Sequence, residues 1–219
     1  MRVGITQRVV VNDTYHEVRD ALSHDWICYL EKTLDGPLIV PIPNSIGDVE
    51  TYLGHAAFDL IILSNGNDVG TCDARDRTEE RIYRYCVKNG VKLFGACRGL
   101  QFIGHMHGCR ITQDLGKEAG VTHVARNHSV DIVAGEFARR FGADRLEVNS
   151  YHNQGILVGE IPETLRVFAL SDSQVVEGVY LPHAPVIGVQ WHPERAGGAA
   201  AFDAELLRTF AHSGAFWHE

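Results

Sequence analysis

No stretch of the 219 residues is apolar for long enough to cross a bilayer. The opening segment, Met1-Arg2-Val3-Gly4-Ile5-Thr6, is briefly apolar and then gives way to polar residues. It reads as a first strand and not as a signal peptide. Cysteine is sparse: Cys28, Cys72, Cys86, Cys97 and Cys109 are odd in number and scattered, with no spacing that suggests a disulfide framework or a zinc site. A reducing cytoplasm is the compartment that fits. Basic residues are short as well, 20 against 28 acidic, and a formal net charge of -8 argues against general binding to nucleic acid or membrane surfaces. A small anion held by a few local arginines stays compatible with that charge. Repeats, low-complexity tracts and linker-like stretches are missing too, so residues 1–219 are expected to form a single domain.

What is present is an ordinary globular composition, 45% apolar and 22% charged, on a chain long enough for one large α/β core. Val3 to Thr6 is a strand candidate. His16 to Leu34 shows helical spacing, with Val18, Leu22, Trp26, Tyr29 and Leu30 on one face. A short strand is expected over Leu38 to Ile42 and a doubly buried one over Phe58 to Ser64. Asp73 to Lys88 reads as a charged helix with a solvated face, stopped by Asn89-Gly90. Val91 to Ala96 is the next strand and Leu100 to His107 the next helix. This βαβα order predicts a parallel sheet with helices on both faces. Beyond about residue 122 short β-like runs follow, at His128 to Val133, Leu146 to Val148, Arg166 to Leu170, Val175 to Tyr180 and Val186 to Trp191. A helix from Ala199 to about His212 closes the chain.

One residue stands out against this background. Cys97 sits in Gly95-Ala-Cys-Arg-Gly-Leu-Gln101, between an apolar run and a helix-like run. That is the layout of a nucleophile elbow, a sharp strand-to-helix turn that holds a reactive side chain above a sheet. The helix N-terminus behind it favours the thiolate. Far along the chain, the apolar run Val186 to Trp191 leads into His192-Pro193-Glu194. The proline favours extended geometry at His192, and residues two apart in an extended chain point the same way. His192 and Glu194 therefore make a candidate base and orienting acid for Cys97. The amide of Arg98 is placed for an oxyanion hole, and the loop Asn65-Gly66-Asn67-Asp68-Val69-Gly70 can turn in a second donor. Cys28, Cys86 and Cys109 read as small core residues. His105, His107 and Cys109 do not form a metal site, because residues two apart do not share a helix face.

The two motifs together resemble a class I glutamine amidotransferase domain, and within that superfamily the free-standing γ-glutamyl hydrolases of the peptidase C26 type. The resemblance spans nearly the whole chain. It implies a flavodoxin-like three-layer α/β sandwich with a mainly parallel central sheet. It also implies a Cys97-His192-Glu194 triad working through a γ-glutamyl thioester, an oxyanion hole from Gly66 and Arg98, and no metal or organic cofactor. Gln101 would help hold the γ-glutamyl group. The run Asn149-Ser150-Tyr151-His152-Asn153-Gln154 resembles the family's Asn-Ser-x-His-His-Gln segment, which implies substrate binding by Asn149, Ser150, Tyr151 and His152. Two positions depart from the pattern: Asn65 stands where the family has a first glycine, and Asn153 where it has a second histidine. The opening Ile5-Thr6-Gln7-Arg8 and Tyr15-His16-Glu17-Val18-Arg19-Asp20-Ala21-Leu22 are similar to hydrolases of γ-glutamyl-CDP-amidate in capsule phosphoramidate synthesis. The favoured substrate is then γ-glutamyl-CDP-amidate, giving glutamate and cytidine diphosphoramidate. Arg8, Arg19, Arg75, Arg77 and Arg126 are the cations available to a diphosphate. Two other readings stand beside this one, a glutaminase subunit feeding ammonia to a separate synthetase and a non-enzymatic thiol redox sensor. A small-molecule γ-glutamyl amide is the expected partner, without nucleic acid or membrane, and a homodimer is left open.

Overall fold

The computed structural model describes residues 1–218. The strands are β1 (Arg2–Thr6), β2 (Arg8–Asn12), β3 (Glu17–Ala21), β4 (Leu38–Ile42), β5 (Leu60–Leu63), β6 (Lys92–Ala96), β7 (His123–Ile132), β8 (Arg145–His152), β9 (Arg166–Ser171), β10 (Val176–Tyr180) and β11 (Val186–Val189). The helices are α1 (His24–Thr33), α2 (Val49–Ala56), α3 (Asp73–Asn89), α4 (Arg98–Met106), α5 (Leu115–Glu118), α6 (Gly135–Phe141) and α7 (Ala200–Ser213). Nine strands form one sheet in the order β4-β1-β5-β6-β11-β10-β9-β7-β8. From β4 to β11 the pairing is parallel, and from β11 onward it is antiparallel.

Alternation along the central strands explains the layers. In β5, Leu60 and Ile62 face one way, into an apolar cluster that runs along the sheet and includes Trp26 and Leu30 of α1, Phe137 of α6 and Leu206, Leu207 and Phe210 of α7. Ile61 and Leu63 face the other way and pack with Leu53 of α2, Ile82 and Cys86 of α3 and Leu100 and Ile103 of α4. Every residue of β5 is buried, as a strand covered on both faces requires. The result is the expected three-layer α/β sandwich, with the candidate strand ends Ala96 and Val189 side by side on neighbouring strands. No helix among the described residues is long and apolar enough to cross a membrane.

The expected helix over His16 to Leu34 is wrong in its first half. Glu17–Ala21 instead pairs antiparallel with Arg8–Asn12 as a separate two-stranded hairpin. Ser23 then caps α1 by accepting a hydrogen bond from the Asp25 amide at 3.3 Å, so the helix starts only at His24. Val18, which matched the helical face, is 67% exposed. The hairpin is pinned to the body at two points. Asn67 exchanges hydrogen bonds with the Val9 backbone, at 2.8 and 3.0 Å, and Asp20 accepts from both the amide and side chain of Asn44, at 2.8 and 2.6 Å.

Candidate active site

The parallel half of the sheet builds the elbow. Cys97 lies between β6 and α4 at φ 53°, ψ -102°, a strained conformation for a residue with a side chain. The flanking glycines explain why the chain can turn there. A Cβ on Gly95 would lie 2.6 Å from the Gly99 carbonyl carbon, and one on Gly99 would lie 2.3 Å from the Leu63 carbonyl oxygen. Only bare backbone lets α4 sit this close to β5 and β6. The Cys97 amide donates to the Val189 carbonyl at 2.8 Å, which ties the elbow to β11. The first-turn amides of α4 have no partner within the helix, so the Arg98 N–H is available to a developing oxyanion.

Three residues beyond the end of β11, His192 Nδ1 lies 2.8 Å from Glu194 Oε1. Both side chains are buried. Burial acts to lower the His192 pKa, but hydrogen bonds and charge from Cys97 and Glu194 outweigh it and raise the value to about 9. His192 is therefore held as an imidazolium beside the thiol at neutral pH. The Asn149 side chain fixes this segment. It accepts from the His192 amide at 2.9 Å and donates to the carbonyls of His192 and Gly197 at 2.9 and 3.1 Å.

Arg75 holds the other wall, which corrects the picture of α3 as a solvated face. Arg75 and Glu79 are fully buried. The Arg75 guanidinium donates to the carbonyls of Ser64 (2.6 Å), Asn65 (3.0 Å) and Gly66. Pulling these carbonyls inward leaves the Gly66 loop, at φ 83°, with its backbone bordering the cleft. Burial opposes ionisation of Glu79, but Arg98 and Arg75 overcome it and hold the carboxyl below its ordinary range. The Arg98 side chain ion-pairs with Glu79 and Asp76, so the cleft meets Arg98 through its backbone. Arg75 is accordingly closed to a phosphate.

An open cleft of about 480 Å³ connects these parts. It is bordered by Cys97, Arg98, Gln101, Gly66, Tyr151, His152 and His192, so these expected site residues converge on one space. Asn149 and Ser150 do not. Both are buried, Asn149 on the backbone of residues 192–197 and Ser150 on the His123 carbonyl, so their expected substrate contacts are replaced by contacts that shape the wall. Gln101 donates to the Gln154 carbonyl at 3.1 Å and to Gln190 Oε1 at 3.3 Å. His152 is pushed down to about 4 by burial, against the opposing pull of Glu177, and is neutral at neutral pH. Cys86 and Cys109 are buried as expected, whereas Cys28 is exposed on the outer side of α1.

Three contributors escaped the sequence reading. The Gln190 side-chain amide lies 3.6 Å from Cys97 Sγ. Arg195 stacks over the Tyr151 ring at 4.4 Å and approaches Glu194 at 3.5 Å. Asn65, which stands at a family glycine position, donates its side-chain amide to Glu194 Oε1 at 2.6 Å, accepts from the Trp26 indole N–H on Oδ1 at 3.4 Å, and has Nδ2 2.7 Å from His192 Nδ1. Adjacency of Gln190 and Arg195 to the His-Pro-Glu motif was the available signal. Asn65 carried one too, as the departure from Gly-Gly. Of the arginines considered for a diphosphate, Arg8 borders the cleft, and Arg195 joins it there.

A family model described as Peptidase C26 matches residues 3–194. A γ-glutamyl-CDP-amidate hydrolase of Campylobacter jejuni is 29% identical over 90% of this chain and 92% of its own. A γ-glutamyl-γ-aminobutyrate hydrolase of Shigella flexneri is 27% identical over 81% of this chain and 70% of its own. Among solved structures, a glutamine amidotransferase of Thermotoga maritima superposes with a TM-score of 0.63 at 16% identity, over 95% of this chain and 81% of that one.

Proposed function

The chain belongs to the peptidase C26 family and is a hydrolase acting on amide bonds; within that class we propose that Cys97, His192 and Glu194 cleave a γ-glutamyl amide through a thioester. The observation that carries this reading is geometric: His192 pairs with Glu194 at 2.8 Å beside a cysteine on a strained elbow. The Cys97 thiolate adds to the γ-carbonyl carbon, and the oxyanion takes hydrogen bonds from the amides of Arg98 and Gly66. As the C–N bond breaks, the His192 Nε2 proton passes to the departing nitrogen. A γ-glutamyl thioester and a neutral imidazole remain. His192 then takes a proton from water, hydroxide adds to the thioester, and glutamate leaves as the thiolate and imidazolium reform. Glu194 keeps Nδ1 protonated and the ring oriented throughout.

The favoured substrate is γ-glutamyl-CDP-amidate, with cytidine diphosphoramidate as the leaving group. Two features support it. The similar Campylobacter jejuni protein carries that activity in its name, and Arg8 and Arg195 place two cations on the cleft where a diphosphate would lie. Arg8 comes from the hairpin, the segment that carries the closer resemblance. The purified chain should release glutamate from γ-glutamyl-CDP-amidate faster than from glutamine or simple γ-glutamyl amines, and Cys97→Ala should abolish release. Turnover of glutamine alone would overturn the substrate, and full turnover by Cys97→Ala would overturn the mechanism.

A further inference from the structure

Behind the cleft wall, four ligand-type side chains crowd one buried point. His123 Nδ1, His128 Nε2 and His152 Nε2 lie 3.4, 3.1 and 3.7 Å from the same Glu177 oxygen, Oε1. Glu177 is fully buried, and His123 and His152 are 5% and 4% exposed. Close as they stand, none of these facing atoms is aligned for a hydrogen bond, and Glu177 Oε2 has no partner either. Buried polar groups are normally paired, so this many orphans in one place calls for a physical explanation.

His152 gives the sharpest constraint. Its Nδ1 lies 2.8 Å from the Gln154 carbonyl, which can only accept, so Nδ1 carries the proton. In the Nδ1-protonated tautomer the ring turns its Nε2 lone pair toward a carboxylate. A cation between two such acceptors in a dry interior satisfies both. An outer-ring N–H donated to a backbone carbonyl is also how metal-ligating histidines are oriented. The distances to Glu177 lie near the ~3.3 Å that separates ligands of a tetrahedral ion, and the donor atoms of His123, His152 and Glu177 all lie within 4.8 Å of one another.

The backbone is bent to make this cluster. His123 and His128 are five apart and would face opposite sides of a regular strand. A bulge at Ala125, at φ 53°, shifts the register between Val124 and Arg126 and brings both onto the face of His152. Glu177 occupies a second irregularity, between Val176 and Gly178. Bulges re-aim side chains in this way beside functional sites.

We propose that His123, His152 and Glu177, with His128 as fourth ligand, bind a divalent transition-metal ion of zinc's class. The mixed nitrogen and oxygen donors favour such an ion over calcium or magnesium, which take oxygen ligands. The ion would lock β7, β8 and β10 together behind Tyr151 and Gln154. His128, with 14% of its side chain exposed, marks the way in. The site is separate from the γ-glutamyl chemistry and does not depend on that reading.

The test uses the full chain, stripped with a chelator and titrated with zinc. One equivalent should bind, raise the melting temperature by several degrees, and be lost again to excess chelator. Cys97→Ala should bind zinc as the native chain does. Glu177→Gln and the part-exposed His128→Ala should each weaken binding by at least about tenfold. The cobalt(II) form should show d–d absorption without a thiolate charge-transfer band. A folded chain that binds no stoichiometric zinc overturns the proposal. So does binding abolished by Cys97→Ala, or binding unchanged in a folded Glu177→Gln or His128→Ala.

Discussion

Replacing Glu194 by glutamine tests the central pair, because it keeps shape and removes charge. In the native chain the His192 pKa stands at about 9 against an ordinary 6.5. That displacement corresponds to about 3 kcal/mol favouring the imidazolium. Burial works against it, so the stabilising contributions of Cys97 and Glu194 together exceed the net figure. A hydrogen bond to a charged partner contributes about 1.5–3 kcal/mol. Glu194→Gln should therefore bring the His192 pKa down by one to two pH units and lower kcat/KM by roughly 10–100-fold. The sign follows from the roles: the imidazolium protonates the leaving nitrogen, so activity falls as pH rises through the His192 pKa. The alkaline limb of the kcat/KM profile should lie near pH 9 in the native chain and move toward neutrality in the variant. Stability gives a second reading. A raised histidine pKa contributes stability that is fully present below about 6.5 and lost as pH rises through about 9. The melting temperature of the native chain should thus fall more steeply between pH 7 and pH 10 than that of the variant. An unshifted alkaline limb with less than a threefold loss of kcat/KM would refute the pairing.

Four further outcomes follow from named contacts. Asn65→Gly restores the family pattern but removes a donor to Glu194; kcat/KM should fall roughly tenfold in steady-state assays, and an unchanged value would show the amide to be dispensable. Arg75→Met leaves three carbonyls and Glu79 short of a partner; thermal unfolding should show a loss of about 3–5 kcal/mol, a drop of roughly 6–20 °C. Asp203 is pushed up to about 7, chiefly by burial, and accepts from the Trp191 indole at 2.7 Å. Its raised pKa costs the fold stability as pH climbs from about 4 through 7, so Asp203→Asn should be the more stable protein at pH 8 in denaturant titrations and about equal to the native chain at pH 4. Arg8→Ala should raise KM several-fold for γ-glutamyl-CDP-amidate and leave KM for an uncharged γ-glutamyl amide unaltered; equal effects on both would remove Arg8 from phosphate recognition.

The parallel half of the fold was legible because its signals are local. Every residue of Leu60–Leu63 is buried on two faces, and Gly95 and Gly99 announce a turn that no larger residue fits. The elbow and the His-Pro-Glu end could be read for the same reason, since each is a short motif whose geometry is set by its own backbone. The hairpin was misread because Val18 and Leu22 fall at helical spacing by coincidence, and only pairing with Arg8–Asn12 reveals the strand. Arg75 and Glu79 looked like surface charges. Their burial depends on Arg98 and on the loop carbonyls, contacts 9 to 19 residues away that no local pattern encodes. Asn149 and Ser150 were located correctly and given the wrong partners, because a polar residue near a cleft can face either the ligand or the backbone that borders it.

The two halves of the sheet divide the labour differently. In the parallel half, the groups that would do chemistry sit at strand ends whose position is set by close backbone packing, Gly99 against Leu63 and Cys97 against Val189. A small shift there misplaces the thiol against the oxyanion amides, so little variation is tolerable. The antiparallel half offers no such packing for the opposite wall. Tyr151, His152 and Gln154 come from strand β8 and the turn after it, at an edge of the sheet, and β7 beside them is broken by a bulge. An edge strand of this kind moves unless something crosslinks it from behind. Two buried polar groups stand there, the Asn149 clamp on residues 192–197 and the His123-His152-Glu177 cluster, beside backbone hydrogen bonds from Leu115 to Asn153 and between Thr112 and Gly155. The clamp holds the base end of β8, next to His192, while the cluster holds the mouth end, next to Gln154. This wall of the cleft is therefore ordered by buried polar contacts as well as by the apolar packing of Val130 and Val148 beneath it.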